Sequence, residues 1–189
     1  MSKVILAIAD ISCLSQDICY NDAYEAVSDY RKDKADRLKG GTDKQRCVAS
    51  GLLLNAVLQQ WDKSDVCSDD SEIHGDDICH TKPKLQEVDI CGAIMGYDKQ
   101  YDYDITTYAN GKPVFVEHKD IHFNISHAGK YVVCVVADCA VGVDIEGDRE
   151  VRDNVAKRFF SKEECLWIEE KCEEKKRRFF ELWTLKEAY

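Results

Sequence analysis

The chain has 189 residues, 44% of them apolar and 33% charged, which is typical of a globular protein with one good-sized core or two small ones. Its formal net charge of -10 argues against general binding to nucleic acid, because any anionic ligand must find its positive groups locally. No apolar run reaches the roughly 18 residues of a membrane span, and the start, MSKVILAIAD, turns acidic too early for a secretory leader. We therefore expect a cytoplasmic protein, with its ten scattered cysteines as free thiols.

The amino-terminal part predicts one strand followed by helices. The run VILAIA, residues 4–9, has the character of a short buried strand. Helical spacing follows through DAYEAVSDYRKDKADRLKGG, where Gly40 and Gly41 are a stop signal. A second helix is predicted through QRCVASGLLLNAVLQQW, with Thr42 or Asp43 as its cap and a wide apolar face.

A polar segment from Asp62 to about Gln100 interrupts this pattern, because both the helical and the strand periods fade there. It contains five zinc-type ligands: Cys67, His74, Cys79, His80 and Cys91. Their spacing matches no paired CxxC arrangement. An acidic surface loop is therefore the preferred interpretation, with a zinc site as the alternative.

Three strands joined by turn signals are predicted in IHFNISHAGKYVVCVVADCAVGVDIEGD, over residues 121–126, 131–137 and 141–146. An antiparallel meander is the simplest topology for them. Helices are predicted beyond the meander. Ser161 would cap one of these, with Glu164 completing a capping box, and a last helix runs through RRFFELWTLKEAY.

Asp144 and Glu146 stand two residues apart in the third predicted strand, so their carboxylates would share one face. Two neighbouring acids need a counter-cation or solvent. Magnesium suits such a pair, because it takes one or two carboxylates together with water and phosphate oxygens. On this pair alone, two acids in water at a strand end are the simpler interpretation.

Residues from other predicted elements suit a phosphate site. Lys186 and Glu187 would bring a cation and a third carboxylate to the pair if the last helix packs on the meander. Ser126 and His127, at the end of the first strand of the meander, and Lys112, beside Pro113, are suited to contacts with phosphate oxygens. Together they predict a site assembled from elements far apart in sequence.

Five segments follow one another in a specific order: GKP (111–113), FNISHAG (123–129), GVDIE (142–146), KRFFSKEE (157–164) and FFELWTLKEAY (179–189). This combination closely resembles the 4'-phosphopantetheinyl transferases of the surfactin-synthetase-activating type. The resemblance is strong from residue 111 to residue 189 and loose in the amino-terminal half. The family pattern continues with further strands after the KEAY motif, so we expect the second half to be incomplete at Tyr189, with an exposed sheet edge.

The resemblance implies transfer of the phosphopantetheine arm of coenzyme A to a serine of an acyl or peptidyl carrier protein, with release of adenosine 3',5'-bisphosphate. Asp144, Glu146 and Glu187 are similar to the family's magnesium ligands. Glu187, directly or through a water, would also be the base. Lys186 would meet a phosphate or the leaving group.

The resemblance also implies which residues bind coenzyme A. His127 is similar to the family's pyrophosphate-binding histidine, Ser126 would shape the same loop, and Lys112 would contact the nucleotide side. The basic residues near the 3'-phosphate are matched more loosely by Arg31, Lys34 and Arg46. For Arg31 and Lys34 a solvated helix face is an equal alternative. Arg46 opens a helix, and a helix amino terminus favours anions.

The implied fold is α+β, built from two pseudo-symmetric halves that are each a small antiparallel sheet packed with helices. The amino-terminal half would cover residues 1–135, with the acidic insertion at about 62–100. A partial carboxy-terminal half with the metal-binding motifs would cover residues 136–189. Coenzyme A would lie in the cleft between the halves, and one monomer would hold the whole site.

Three functions remain open from the sequence. The first is an active transferase, which needs magnesium and loses activity when Asp144 is replaced. The second is an inactive relative that binds coenzyme A or a carrier protein without turnover. The third is another magnesium-dependent phosphate enzyme, such as a pyrophosphohydrolase, which cleaves a nucleotide without any carrier.

Overall fold

A computed structural model describes residues 3–64, 85–96, 103–108, 111–150 and 153–188. Most of the predicted acidic segment lies outside these ranges, and so do four of its possible zinc ligands, Cys67, His74, Cys79 and His80. Within the described ranges, no helix combines the length and apolar character needed to cross a bilayer.

The amino-terminal elements begin with a strand and three helices. They are β1 (Val4–Asp10), a short 3-10 turn (Ser12–Ser15), α1 (Asp17–Glu25), α2 (Asp29–Asp36) and α3 (Gly41–Ser64). The single long helical pattern predicted from residue 22 to 41 is therefore two helices with a break between them. The third helix begins at Gly41, so Thr42 and Asp43 lie inside it rather than at its cap.

Short strands and a pair of longer ones follow. The elements are β2 (Leu85–Glu87), α4 (Ile90–Gly96), β3 (Ile105–Thr107), β4 (Pro113–Phe115), β5 (His122–Ala128) and β6 (Tyr131–Ala137). The carboxy-terminal part contains α5 (Asp153–Phe159), α6 (Lys162–Glu169), a 3-10 turn (Cys172–Glu174) and α7 (Lys175–Ala188). The predicted α+β class is confirmed.

The main sheet has four strands in the order β2-β1-β6-β5. β6 pairs antiparallel with both of its neighbours, and β2 pairs parallel with β1. In this register Cys134 lies between Ala7 on one side and Ile125 on the other. A separate hairpin of β3 and β4 is also antiparallel. The predicted pairing of residues 121–126 with 131–137 is therefore confirmed.

The core lies between this sheet and α3. Val48, Leu52 and Val57 of α3 are fully buried, as are Val132 and Val136 of β6. Complete burial of one such side chain contributes about 1.5–3 kcal/mol before the entropy cost. The wide apolar face of α3 is thus what fixes the helix on the sheet.

The third predicted strand is wrong, because Val141–Glu146 has no regular structure. Its alternating apolar residues resemble a strand, yet its hydrogen bonds run to side chains instead of to a neighbouring backbone. Val143 N donates to Asn124 Oδ1 over 3.1 Å and Ile145 N to Ser126 Oγ over 3.4 Å. The segment therefore follows β5 without joining the ladder.

The helices α5 to α7 surround a second, smaller apolar cluster with Phe160, Ile168 and Phe179 at its centre. Trp183 stacks on Phe179 with 5.9 Å between the ring centroids. This cluster is separate from the core around α3. The division between residues 135 and 136 stays a prediction.

The predicted capping box at the start of α6 is confirmed. Glu164 N donates to Ser161 Oγ over 3.2 Å, and Ser161 N donates to Glu164 Oε2 over 2.7 Å. These two bonds satisfy amide groups that the first turn of a helix otherwise leaves unpaired.

We expect Ser161→Ala to lower the free energy of unfolding by about 1 kcal/mol, because it removes the cap. Equilibrium unfolding in urea measures this loss. Ser161→Thr is the matched control, since it keeps the hydroxyl group and should remain close to the native protein. Equal stabilities for the alanine and threonine variants would show that the cap contributes nothing.

Candidate active site

Three side chains hold the segment Val141–Glu146 in place. Lys112 Nζ donates to Val141 O over 2.9 Å, and Asn124 accepts from Val143 N. Ser126 Oγ donates to Asp144 Oδ1 over 2.6 Å while it accepts from Ile145 N. Lys112 and Ser126 were predicted to contact phosphate oxygens. In the structure both form hydrogen bonds with the segment that contains Asp144 and Glu146.

Asn124 is a site residue that the sequence analysis missed. It lies two positions before Ser126 in β5, so both side chains point to the same face of the strand. Phe123 and Ile125 point to the opposite face, where they pack in the core under α3. The sequence FNIS (residues 123–126) could have identified Asn124. Its two polar residues alternate with two apolar ones, so the polar side chains need partners outside the core.

Asp144 has one satisfied and one unsatisfied carboxylate oxygen. Oδ1 accepts the hydroxyl of Ser126, whereas Oδ2 is buried and has no hydrogen-bond partner in the structure. Glu146 accepts a hydrogen bond from Arg149 Nη2 over 2.8 Å, and its side chain is 18% exposed. The two acids therefore lie in one half-buried segment, with an oxygen of Asp144 available to a cation.

The donor set fits a hard divalent cation. Magnesium takes oxygen ligands and commonly uses one or two carboxylates, with water or phosphate oxygens in the remaining positions. Asp144 Oδ2 is the kind of buried, unpaired oxygen that such an ion would satisfy. Among the described residues, however, no three His, Cys, Asp or Glu side chains are grouped closely enough to hold a metal. The structure thus does not bring Glu187 into one group with Asp144 and Glu146.

The last turn of α7 reaches the same segment through Gly142. A side chain at this position would overlap the carbonyl oxygen of Ala188, so only glycine permits the approach. Lys186, two residues earlier, forms an ion pair with Glu164 Oε1 at 3.0 Å. The hydrogen bond from Ser161 N, together with this contact, lowers the pKa of Glu164. Glu187 is exposed.

The turn between β5 and β6 is held from two sides. Arg46 donates to Gly129 O from Nε and Nη2, over 3.1 and 2.9 Å, and Gly129 has a φ of 55°. On the other side Lys130 Nζ pairs with Asp10 Oδ2 at 2.7 Å. His127 precedes the turn and is exposed. Arg46 and His127 therefore belong to one end of the sheet.

The two remaining basic candidates lie on α2 and differ in their surroundings. Lys34 is exposed, while Arg31 is only 6% exposed and lines a cavity against α3. The structure thus gives Lys34 a surface position and Arg31 an interior one.

Cys91, the one possible zinc ligand in the described ranges, lies in α4. A hydrogen bond with the thiol of Cys13, together with burial, raises the pKa of Cys91 to about 11. This thiol is therefore protonated at neutral pH.

Comparison with known proteins shows a similarity in the carboxy-terminal part of the chain. Residues 140–189 match the sequence model of the 4'-phosphopantetheinyl transferase superfamily, and this region contains the GVDIE, FSKEE and WTLKEAY motifs. Residues 140–189 are therefore similar to that superfamily over about a quarter of the chain. The predicted resemblance is confirmed.

Several curated proteins similar to this chain are named 4'-phosphopantetheinyl transferases. The chain is 46% identical over 80 residues to the 4'-phosphopantetheinyl transferase gsp of Aneurinibacillus migulanus. This aligned region covers 42% of this chain and 33% of the relative. It is 38% identical over 98 residues to Sfp of Bacillus subtilis, covering 48% of this chain and 43% of the relative. With psf-1 of Bacillus pumilus it is 42% identical over 84 residues, covering 44% and 36%. The chain thus spans between a third and a half of the length of these relatives.

We expect Ser126→Ala to lower the free energy of unfolding by about 1–3 kcal/mol, because it leaves Asp144 Oδ1 and Ile145 N without their partner. Urea unfolding of the variant beside Ser126→Thr, which keeps the hydroxyl, separates this effect from a simple change of side-chain size. If both variants are as stable as the native chain, Ser126 does not hold the segment.

The ion pair at the turn predicts a pH effect. Hydrogen bonds from Lys130 and Ser12 lower the pKa of Asp10 from 3.8 to about 2. Because the pKa is lower in the folded state, this stabilisation is complete above pH 3.8 and is lost as the pH falls towards about 2.

An NMR titration of the Asp10 carboxyl carbon should therefore have its midpoint near 2. The difference in stability between the native chain and Asp10→Asn should be present at neutral pH and shrink below pH 3.8. A midpoint close to 3.8 would contradict the role of Lys130.

Proposed function

We propose that this chain carries the catalytic region of an enzyme that transfers the 4'-phosphopantetheine arm of coenzyme A to a serine of an acyl or peptidyl carrier protein. One observation supports this above the others: inside the family motif, Asp144 has a buried carboxylate oxygen without a hydrogen-bond partner. Burying a carboxylate oxygen without a partner costs free energy, so a cation bound at this motif would be stabilising. The names of the relatives support the reaction type.

Asp144 and Glu146 would hold the magnesium ion, with Glu187 of α7 as the proposed third carboxylate. A bound ion of this kind neutralises charge on pyrophosphate oxygens during phosphoryl transfer. Lys112, Asn124 and Ser126 would act as positioning residues, because their hydrogen bonds go to the segment that carries the two acids.

The groups that contact coenzyme A would come from the edge of the same sheet. His127 is exposed beside the turn that Arg46 holds, and both suit a phosphate oxygen. Lys34 is exposed on α2 and would approach the 3'-phosphate. We leave Arg31 out of this set, because its side chain is only 6% exposed.

In the proposed reaction the carrier serine oxygen forms a bond to the phosphorus that bears the pantetheine arm. The bond from this phosphorus to the bridging oxygen breaks, and adenosine 3',5'-bisphosphate leaves. Glu187, directly or through a water, would accept the serine proton. Lys186 would leave its ion pair with Glu164 to meet a phosphate oxygen.

A second candidate is a chain that binds coenzyme A without turnover. It is favoured by the pairing of Lys186 with Glu164 and by the lack of a three-ligand group in the ranges that the structure covers. The eight cysteines of the described ranges are all free, which supports a cytoplasmic setting for either function. A monomeric state stays a prediction.

The test is intact-mass spectrometry of a panel of apo carrier domains after incubation with the chain, coenzyme A and magnesium. We expect the mass of one phosphopantetheine group to be added to a carrier, and Asp144→Asn to lower the rate at least about 100-fold. That size is usual when a group that stabilises transition-state charge is lost. The asparagine keeps an oxygen for Ser126 but loses the negative charge.

Asp148→Asn is the matched control, because the Asp148 side chain is 89% exposed and pairs with Lys176. It should react at the native rate. If no carrier gains mass while calorimetry shows that coenzyme A binds, the chain binds without turnover. If coenzyme A is cleaved in the absence of a carrier, the enzyme is a phosphohydrolase.

A further inference from the structure

Two arginines in the described ranges are almost completely buried, and they differ in one respect. Arg178 and Arg31 are both 6% exposed. Arg178 donates to the backbone oxygen of Trp167 and forms an ion pair with Glu170 Oε2 at 2.9 Å. Arg31 has no ion pair with any residue that the structure describes, and its Nε is buried without a hydrogen-bond partner. Within the part of the chain that the structure describes, one buried arginine has an acidic partner and the other has none.

The stem of Arg31 fits into a groove on α3 at Gly51. A Cβ at Gly51 would lie 2.9 Å from Arg31 Cγ and 3.1 Å from Val27 Cγ1, too close for an ordinary contact. Glycine at this position is thus what lets α2 lie so close to α3. The aromatic ring of Tyr30 gives the guanidinium only a distant contact, 5.8 Å from Cζ to the ring centroid.

The Arg31 side chain lines a cavity of about 30 Å³ between α2, α3 and the hairpin of β3 and β4. Among the described residues, no acidic side chain lines it. Three further side chains that can form hydrogen bonds line it, those of Ser28, Asn55 and Tyr103, and the Ser28 hydroxyl does not cap the helix that follows it. The remaining lining is mainly apolar: Ala26, Val27, Leu54, Leu58, Ile105 and Phe115.

A positive charge that is largely removed from water, with Nε buried and unpartnered, is unfavourable because much of its hydration is lost. The cavity has room for about two or three waters, since a water needs about 10–15 Å³ by the same measure. A monatomic anion fits this space and supplies the missing acceptor.

We propose that this cavity is a halide site, in which chloride accepts a hydrogen bond from Arg31 Nε and neutralises the guanidinium. The Ser28 hydroxyl lines the same cavity and is a second possible donor to the ion. The site is distinct from the acidic segment 141–146 and does not depend on the proposed transfer reaction. Its effect is on folding, because an ion that binds only the folded chain stabilises it by mass action.

The test is thermal unfolding of the full chain in mixtures of sodium chloride and sodium gluconate at constant ionic strength. Gluconate is too bulky for the cavity. We expect the melting temperature to rise by about 3 °C for each tenfold increase in chloride above its dissociation constant. Arg31→Met should abolish this rise. Arg37→Met, an exposed arginine just after α2, should keep it.

A second measurement covers the case in which Arg31→Met does not fold. Crystals of the native chain grown in sodium bromide should give an anomalous peak beside Arg31 Nε. The proposal would be overturned if the melting temperature of the native chain did not depend on chloride concentration. It would also be overturned if the cavity held only water in the bromide crystals. An equal chloride response in the Arg31→Met and Arg37→Met variants would also overturn it.

Discussion

The candidate site depends on two polar side chains of one edge strand. Asn124 and Ser126 take the place of a neighbouring backbone and fix Val143, Asp144 and Ile145 beside the sheet. In a regular strand the ladder would satisfy the amides and leave the side chains free. Here the Ser126 hydroxyl also donates a hydrogen bond to Asp144 over 2.6 Å, so the carboxylate of this acid is held directly as well as through its neighbours in the chain.

The sheet that presents these side chains is in turn held by α3. Phe123 is buried under α3 with β6, and this leaves the polar face of β5 as the only one available to the acidic segment. Two positions in the first half of α3 make separate contacts. Near its start Arg46 binds the turn after β5, and further along Gly51 receives the stem of Arg31. One helix therefore supports both the main core and the surroundings of the site.

Much of this arrangement could be predicted from sequence, and the exceptions have physical causes. The apolar runs of α3 and β6 identify buried elements without ambiguity, and the capping box at Ser161 depends on four neighbouring residues. The alternation in 141–146 predicts a strand because Val143 and Ile145 do alternate with acids, but no periodicity says whether the partner is a backbone or a side chain. Arg31 was expected either to approach the 3'-phosphate or to lie on a solvated helix face, and both alternatives place it in contact with solvent or ligand. Its burial depends on Gly51, some 20 residues away in the chain.

The spacing of the two anchors on β5 has a consequence for changes in chain length. Asn124 and Ser126 are two residues apart, and so are the amides of Val143 and Ile145 that they receive. An inserted or deleted residue between these amides would turn Asp144 to the opposite side, because neighbouring residues in an extended segment face opposite ways. Cys139 and Ala140, which precede this segment, are exposed and contain neither of the two amides that Asn124 and Ser126 bind. Length variation among related chains is therefore expected before Val141 and should be absent from Val143 to Glu146.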